Sequence, residues 1–548
     1  MSLHSHAIYP VPEVTQRVAR AAFPHGNIYM QVADRLGNIY HDAQFTALFP
    51  TRGQPAEAPA RLALATVLQF AEGLSDRQAA DAVRSRIDWK YVLGLELTDP
   101  GFHHTVLSEF RTRLVTGEAE QLLLDTLLTL ARTQGLLKAR ECQRTDSTPV
   151  LAAIRVLNRL ERVGETLRAA LNSLAIVVPV WLQALAPLEW YDRYSRRVEN
   201  YHLPKTEEAR KALAAVIGAD GQTLLRAIAA AADQPWLQEV PAVKMLQQVW
   251  AEQYIEVNGR LSWREVKDMP SPAELIASPY DPEARYSTKR EVEWVGYKVH
   301  LTETCGTDTP PLIVNVETTP ATTPDDNMLK RVHASLEPRD LLPDEHLVDK
   351  GYTDSQVLVE SQRTYGVTII GPVADDPSWQ ARTGTGFDKA QFLVDWDRQV
   401  VTCPMGKQSI SWLPHTYPKN GMTWEVRFAR KDCTPCPHRA QCTRAKKEPR
   451  IVGLQAREQY EALQEARKRQ TTEEFRQQYA PRAGIESAHA QGIRRCGLRQ
   501  ARYVGLAKTH LQHLATAAAL NFVRLGEWLT GTPRAKTRGS PFAALKAA

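Results

Sequence analysis

At 548 residues the chain exceeds what one compact core holds, so roughly two to four domains are expected. Hydrophobic residues at 43% and charged residues at 24% are ordinary for a soluble globular protein, and no internal repeat is present. A formal net charge of +6 is a mild basic excess that excludes little by itself.

Met1 to Pro12 lacks the charged start and apolar run of a secretion signal. The most apolar stretch, Leu174 to Leu188, holds Pro179 and Gln183 and falls short of the roughly 20 residues of a membrane span, so it reads as a buried helix pair. Seven cysteines, an odd number without an export signal, read as reduced thiols in a reducing cytoplasm.

In chain order, residues 1–140 form a helical region. Pro59 to Glu72 is an Ala/Leu-rich run stopped by Gly73, and Ser75 opens a second helix with Gln78 completing a capping box. That helix carries Arg77, Arg84 and Arg86; a third, Thr105 to Val115, carries Arg111 and Arg113. Short helices with arginines on one side fit a helix-turn-helix-like DNA-binding and dimerisation domain, and equally a plain helical bundle.

From 141 to 530 the pattern is α/β. A short strand leads into Asp146, and a helical insertion, rich in Ala, Leu and Arg, follows over 150–275. Gly296 to Thr304 and Leu312 to Glu317 alternate as strands. Asp325 and Asp326 can cap a helix from Asn327 to Leu336. A strand over His346 to Val348, a helix from Gln356 to Arg363 and a strand over Val367 to Ile370 complete a sheet. Residues 372–450 are a second, β-rich insertion with a cysteine cluster; Thr471 to Trp528 is helical, and 531–548 is a flexible tail.

Three acids stand where a strand or helix can aim them into one site: Asp146, Asp349 before Lys350-Gly351, and Glu486 in Tyr479-Ala-Pro-Arg482-Ala-Gly-Ile-Glu486-Ser-Ala-His489. Two hard divalent cations about 4 Å apart need several carboxylate oxygens. Each acid alone has a plainer reading as a turn, loop or solvated helix residue. Basic residues crowd the chain from Arg427 to Lys508, which suits a polyanionic partner.

The joint context of these residues resembles the bacterial DDE insertion-sequence transposases. It is carried by Arg144-Thr145-Asp146-Ser147-Thr148, Tyr297-Lys298-Val299-His300-Leu301-Thr302, Val348-Asp349-Lys350-Gly351-Tyr352 and the run from Arg482 to Asn521. The resemblance covers roughly residues 25 to 530. It implies an RNase H-like mixed sheet flanked by helices, with Asp146, Asp349 and Glu486 as catalytic metal ligands for two Mg²⁺ ions, or Mn²⁺ in their place. A subset of the family carries a Tyr, an Arg three on, a Glu four further and a Lys seven beyond. Tyr479, Arg482 and Glu486 match the first three; position 493 is Ile, Arg494 and Arg495 follow it, and Pro481 starts or kinks the helix. Arg482, Tyr479, Arg494, Arg495 and Lys350 form the expected phosphate-binding set.

Cys403, Cys433, Cys436 and Cys442 offer four thiols to one structural zinc, with His438 as a competing ligand; the alternative is reduced thiols packed as small hydrophobes. Cys142, Cys305 and Cys496 read as core residues, and Trp396, Trp412 and Trp424 as the core of the β-insertion.

The expected function is metal-dependent cleavage of DNA at element ends and strand transfer into target DNA. Its partners are duplex DNA with terminal inverted repeats, target DNA and further copies of the chain, without a membrane. The alternative is a catalytically silent DNA-binding protein of transposase descent, which should have lost one of the acids. A resolvase-type nuclease needs neither insertion, and a tyrosine or serine recombinase leaves the acids unexplained.

Overall fold

The computed structural model describes residues 2–3, 8–289, 291–417 and 421–533; the expected tail lies beyond these after Pro533. Helix Pro59–Ala71 starts on proline and is buried along almost its whole length. Gly73 follows with φ 68°, and a Cβ there would lie 2.8 Å from the Arg495 carbonyl oxygen. Only glycine fits both the left-handed backbone and that close approach. The capping box forms as expected, Ser75 on helix Asp76–Ser85. The third helix is Thr105–Thr116.

Four of the five expected arginines are engaged by other parts of the chain. Arg111 is buried in an ion pair with Asp76 and lies over the Tyr503 ring. Arg86 bridges Glu72 and Asp88, Arg84 donates to the Pro100 carbonyl, and Arg113 to that of Leu48. Arg77 is exposed and Arg84 keeps 58% of its side chain exposed, so of the five only Arg111 is buried. These helices share one hydrophobic core with the sheet and with helix Leu506–Leu529.

The sheet is built from β1 (Gln143–Leu151), β4 (Arg285–Lys289), β5 (Val292–Thr304), β6 (Ile313–Pro320), β7 (Glu345–Val348) and β8 (Thr368–Ile370). β5 pairs antiparallel with β1 on one side and with β4 and β6 on the other. β1 pairs parallel with β7, and β7 with β8. Parallel neighbours require crossovers, supplied by helices Met328–Leu336 and Ser355–Tyr365. Helix Leu506–Leu529 covers the sheet, and its buried Asn521 side chain pairs with both the N–H and the carbonyl of Ile313 at 2.8 Å.

The chain leaves the sheet after β1 for a helical insertion with a core of its own, running from Leu160 to Ile276 and including a hairpin of β2 (Tyr254–Val257) and β3 (Arg260–Trp263). The apolar stretch Leu174 to Leu188 departs from expectation. Leu174 and Leu182 are buried, but Ile176, Val180 and Leu188 are exposed, because the helices around Pro179 present only one face to the insertion core. Helix Glu207–Ala230 has the length and composition of a membrane span. Its glycine face instead packs on aromatic rings: a Cβ at Gly221 would lie 2.1 Å from Trp250, and one at Gly218 2.5 Å from Tyr254. Gly221→Ala is therefore expected to lower stability by about 1–3 kcal/mol in denaturant unfolding, despite alanine's higher helix propensity. A stabilised variant would show that the rings give way.

The second insertion leaves after β8. It opens with a short helix, Trp379–Thr383. β9 (Leu393–Asp395) and β10 (Val400–Thr402) form a hairpin; β11 (Ser409–Tyr417), β12 (Gly421–Phe428) and β13 (Ile451–Leu454) form an antiparallel sheet. Trp412 contacts both Trp396 and Trp424, a packed cluster rather than an open stacking surface. Helices Arg457–Arg469 and Glu473–Tyr479 return the chain to the main sheet, where Phe475 packs on Leu347 and Ile370. Cys496 is buried in the main core as expected, whereas Cys142 and Cys305 are half-buried with their sulfurs 2.8 Å apart across the ends of β1 and β5.

Candidate active site

The β1–β7 register is Gln143 to His346, Arg144 to Leu347 and Thr145 to Val348. One further step brings Asp146 beside Asp349, on strands spaced about 4.8 Å apart. Distant segments of sequence therefore deliver two acids to one sheet position. Strand alternation buries Thr145 and Ser147 and turns Asp146 to the opposite face. Asp349 ends β7, and its Oδ1 accepts the Gly351 N–H at 2.8 Å, fixing the turn Lys350–Tyr352. Behind that turn the buried Tyr352 hydroxyl meets His300 Nδ1 at 2.6 Å.

Glu486 lies in the first turn of helix Ile485–Cys496. The preceding helix ends at Tyr479, and a 3₁₀ segment, Ala480–Gly484, separates the two. Pro481 causes this break, since it has no N–H to continue the helical ladder. The break aims Arg482 into the acids. Its Nη2 is 2.7 Å from Asp146 Oδ2 and 3.8 Å from Asp349 Oδ2, and its Nη1 is 3.5 Å from Glu486 Oε1. One guanidinium thus touches all three carboxylates. Their exposure is graded, at 14% for Asp146, 33% for Asp349 and 70% for Glu486.

Two supporting groups carried no signal in the sequence beyond their place in longer motifs. Arg144 pairs with Glu303 and donates to the Pro481 carbonyl at 2.6 Å; a Cβ on Gly484 would lie 2.1 Å from its guanidinium. Arg144 therefore grips the turn that carries Arg482. Asp325, expected as a helix cap, instead accepts from Lys298 Nζ at 3.0 Å and from the Ser147 hydroxyl at 3.3 Å, next to Gly351. It forms a fourth carboxylate beside the site, visible only when β1, β5 and β7 are brought together.

The other expected phosphate binders are dispersed. Tyr479 is half-buried and stacks on Phe475 outside the Glu486 helix. Lys350 is exposed beside Asp349, 3.5 Å from Asp375. Arg494 and Arg495 are exposed at the far end of the helix from Glu486, with Arg495 4.0 Å from Glu527. Two helical turns separate them from the acids, so they do not share the site.

Burial raises the Asp146 carboxyl above its ordinary range; Arg482 and the Ser147 N–H oppose this, and Asp349 adds to it. Burial, with Arg499 and Arg482, lowers His489 to about 4, so this imidazole is neutral at pH 7. Because the folded Asp146 pKa lies above its unfolded value, its stabilising contribution is present at low pH and is lost as pH rises through the folded pKa. Metal-free Asp146→Asn should thus melt at or above the parent temperature at pH 7, with the gap closing as pH falls through the carboxylate range. A variant less stable than the parent at pH 7 contradicts this account.

Among the described residues, no three His, Cys, Asp or Glu side chains stand at metal-ligand spacing. Between the three acids lies the Arg482 guanidinium, itself a cation. The donor set is all carboxylate oxygen, which fits hard divalent ions such as Mg²⁺. The arrangement defines a class: a mixed α/β protein with an acidic site suited to cations.

Two stretches of the chain match protein-family models. Residues 402–526 match the Transposase DDE domain, and residues 17–113 match the Transposase domain (DUF772). The first includes Glu486, while Asp146 and Asp349 lie between the two matches. No curated protein and no solved structure matches the chain. The two family matches support an insertion-sequence DDE transposase, a family that implies a DNA substrate, a DNA-cleaving enzyme and general use of a divalent metal.

Proposed function

We propose that the chain cuts DNA at the ends of a mobile element and joins the freed 3′ ends to target DNA, using Asp146, Asp349 and Glu486 on an RNase H-like core. The observation that carries this reading is the gathering of all three acids around one guanidinium, two of them at adjacent positions of parallel strands. The sheet order β6–β5–β1–β7–β8, with β1, β7 and β8 parallel and β5 antiparallel to β1, supports the RNase H-like core.

Asp146, Asp349 and Glu486 would hold two Mg²⁺ ions, which supply charge neutralisation at the attacking and leaving oxygens of an in-line displacement. The chain's own part is positioning. Arg482 neutralises the acids in the metal-free protein; with DNA present its planar donors can turn to a phosphate beside them. Arg144 keeps the Arg482 turn in place, and Lys350 stands at the exposed edge of the site. The DNA partner is duplex with terminal inverted repeats, bound by several copies of the chain in the cytoplasm and nucleoid.

The test is strand transfer. The purified protein is incubated with Mg²⁺, a duplex bearing the element end with a free 3′-hydroxyl, and a supercoiled target plasmid. Covalent joining of end to plasmid is the expected result. Specific binding of the end without cutting or joining would instead favour the silent DNA-binding protein.

A further inference from the structure

We infer that Cys403, Cys433, Cys436 and Cys442 bind one zinc ion that staples the β-rich insertion. This inference is independent of the proposed chemistry at Asp146. All four residues line a single small cavity, although they come from three separate segments: the turn after β10, the short helix Arg430–Cys433 with the turn that follows it, and the short helix Arg439–Cys442. No disulfide joins them. His438, the competing ligand, packs its ring against Phe387 and is absent from the cavity lining.

The backbone around the thiols is held from outside. The Cys403 N–H donates to the Lys407 carbonyl and the Cys403 carbonyl accepts from Gly406, both at 2.8 Å. Gly406 has φ 76°, and this tight turn lets the Lys407 N–H donate to Cys403 Sγ at 3.4 Å. An N–H aimed at sulfur fixes the direction in which the Cys403 side chain points. Arg439 donates to the Cys433 carbonyl at 3.2 Å, and Arg450 and Gln380 donate to that of Cys442 at 3.0 and 2.9 Å. Basic side chains thus surround the cavity, as a set of thiolates requires.

The need for an ion follows from size and donor chemistry. Among the described residues, the insertion's own core holds six buried hydrophobic residues: Phe392, Val401, Val426, Phe428, Val452 and Leu454. Small cores of this kind gain folding free energy from a structural metal. Four sulfurs gathered on one cavity form a soft donor set, and four such donors select zinc in tetrahedral coordination. The sulfurs are not yet at ligand spacing, so the ion would draw them inward across the cavity they already line.

The experiment uses the full chain purified under reducing conditions. Elemental analysis is expected to give about one zinc per chain. Replacement by Co²⁺ should yield the sulfur-to-metal charge-transfer and d–d bands of tetrahedral thiolate cobalt. Cys403, Cys433, Cys436 and Cys442 should resist a thiol reagent until a strong chelator is added, on top of the buried Cys496, and limited proteolysis should then open the insertion. Cys436→Ser should weaken zinc binding at least about tenfold, whereas Cys142→Ser and Asp432→Asn should retain it. The thiol-protection measurement needs no variant, so a Cys436→Ser protein that fails to fold leaves the test intact. Iron in place of zinc, reaction of these four thiols in zinc-replete protein without a chelator, or full zinc retention by Cys436→Ser would each overturn the inference.

Discussion

Asp146→Asn, Asp349→Asn and Glu486→Gln are each expected to reduce Mg²⁺-dependent nicking of element-end DNA by on the order of 10³-fold. Each replacement keeps the shape of the side chain and removes its charge, so the fold should persist. Asp146 is the most buried of the three and neighbours Asp349 in register, so its loss removes a donor that no water can easily replace. Glu486 is the most exposed, and its contribution depends on the Pro481 turn holding its helix against β1. DNA affinity should hold or rise slightly, because each change deletes a negative charge facing phosphate. A nicking assay run beside a binding assay separates the two effects. Full cleavage by any one variant would remove that residue from the mechanism.

Glu303→Gln is expected to cost about 3–5 kcal/mol of stability. Glu303 is 1% exposed and accepts from two arginines that are themselves nearly buried, Arg144 at 12% and Arg524 at 7%. Arg524 also reaches Gln491 Oε1 on the Glu486 helix at 2.9 Å. One carboxylate therefore ties β1, β5, the Arg482 turn and the C-terminal helix together. Replacing it with an amide leaves two guanidinium ions in a low-dielectric interior without a counter-charge, which costs more than the pair itself contributes. Denaturant unfolding measures the loss, and nicking should fall as well because Arg144 no longer holds the turn. A loss below about 1 kcal/mol, the scale of a surface ion pair, would refute the network's role.

Much of the element pattern was legible in the sequence because its signals are local. The Ser75–Gln78 capping box and the proline that opens helix Pro59–Ala71 act through neighbouring backbone groups. Pro481 likewise announced the break between Tyr479 and Glu486. For the N-terminal arginines, helical spacing reports which side a residue occupies, not what meets it there. Arg111 and Arg86 meet acids and aromatic rings brought in by other helices. The buried pair expected at Leu174 to Leu188 failed for a similar reason: apolar composition does not state how many faces a helix buries.

By itself the sequence determined the mixed α/β pattern, the two insertions and the three acids in their motifs, since these rest on short-range sterics, hydrogen bonding and residue context. Only the tertiary structure decided that Arg482 sits among those acids, that Arg144 and Glu303 fix its turn, and that Asp325 joins the site instead of capping a helix. The reason is physical. A charged side chain takes whichever counter-charge the fold delivers within reach, and that partner is chosen by strand register and helix packing across long stretches of chain.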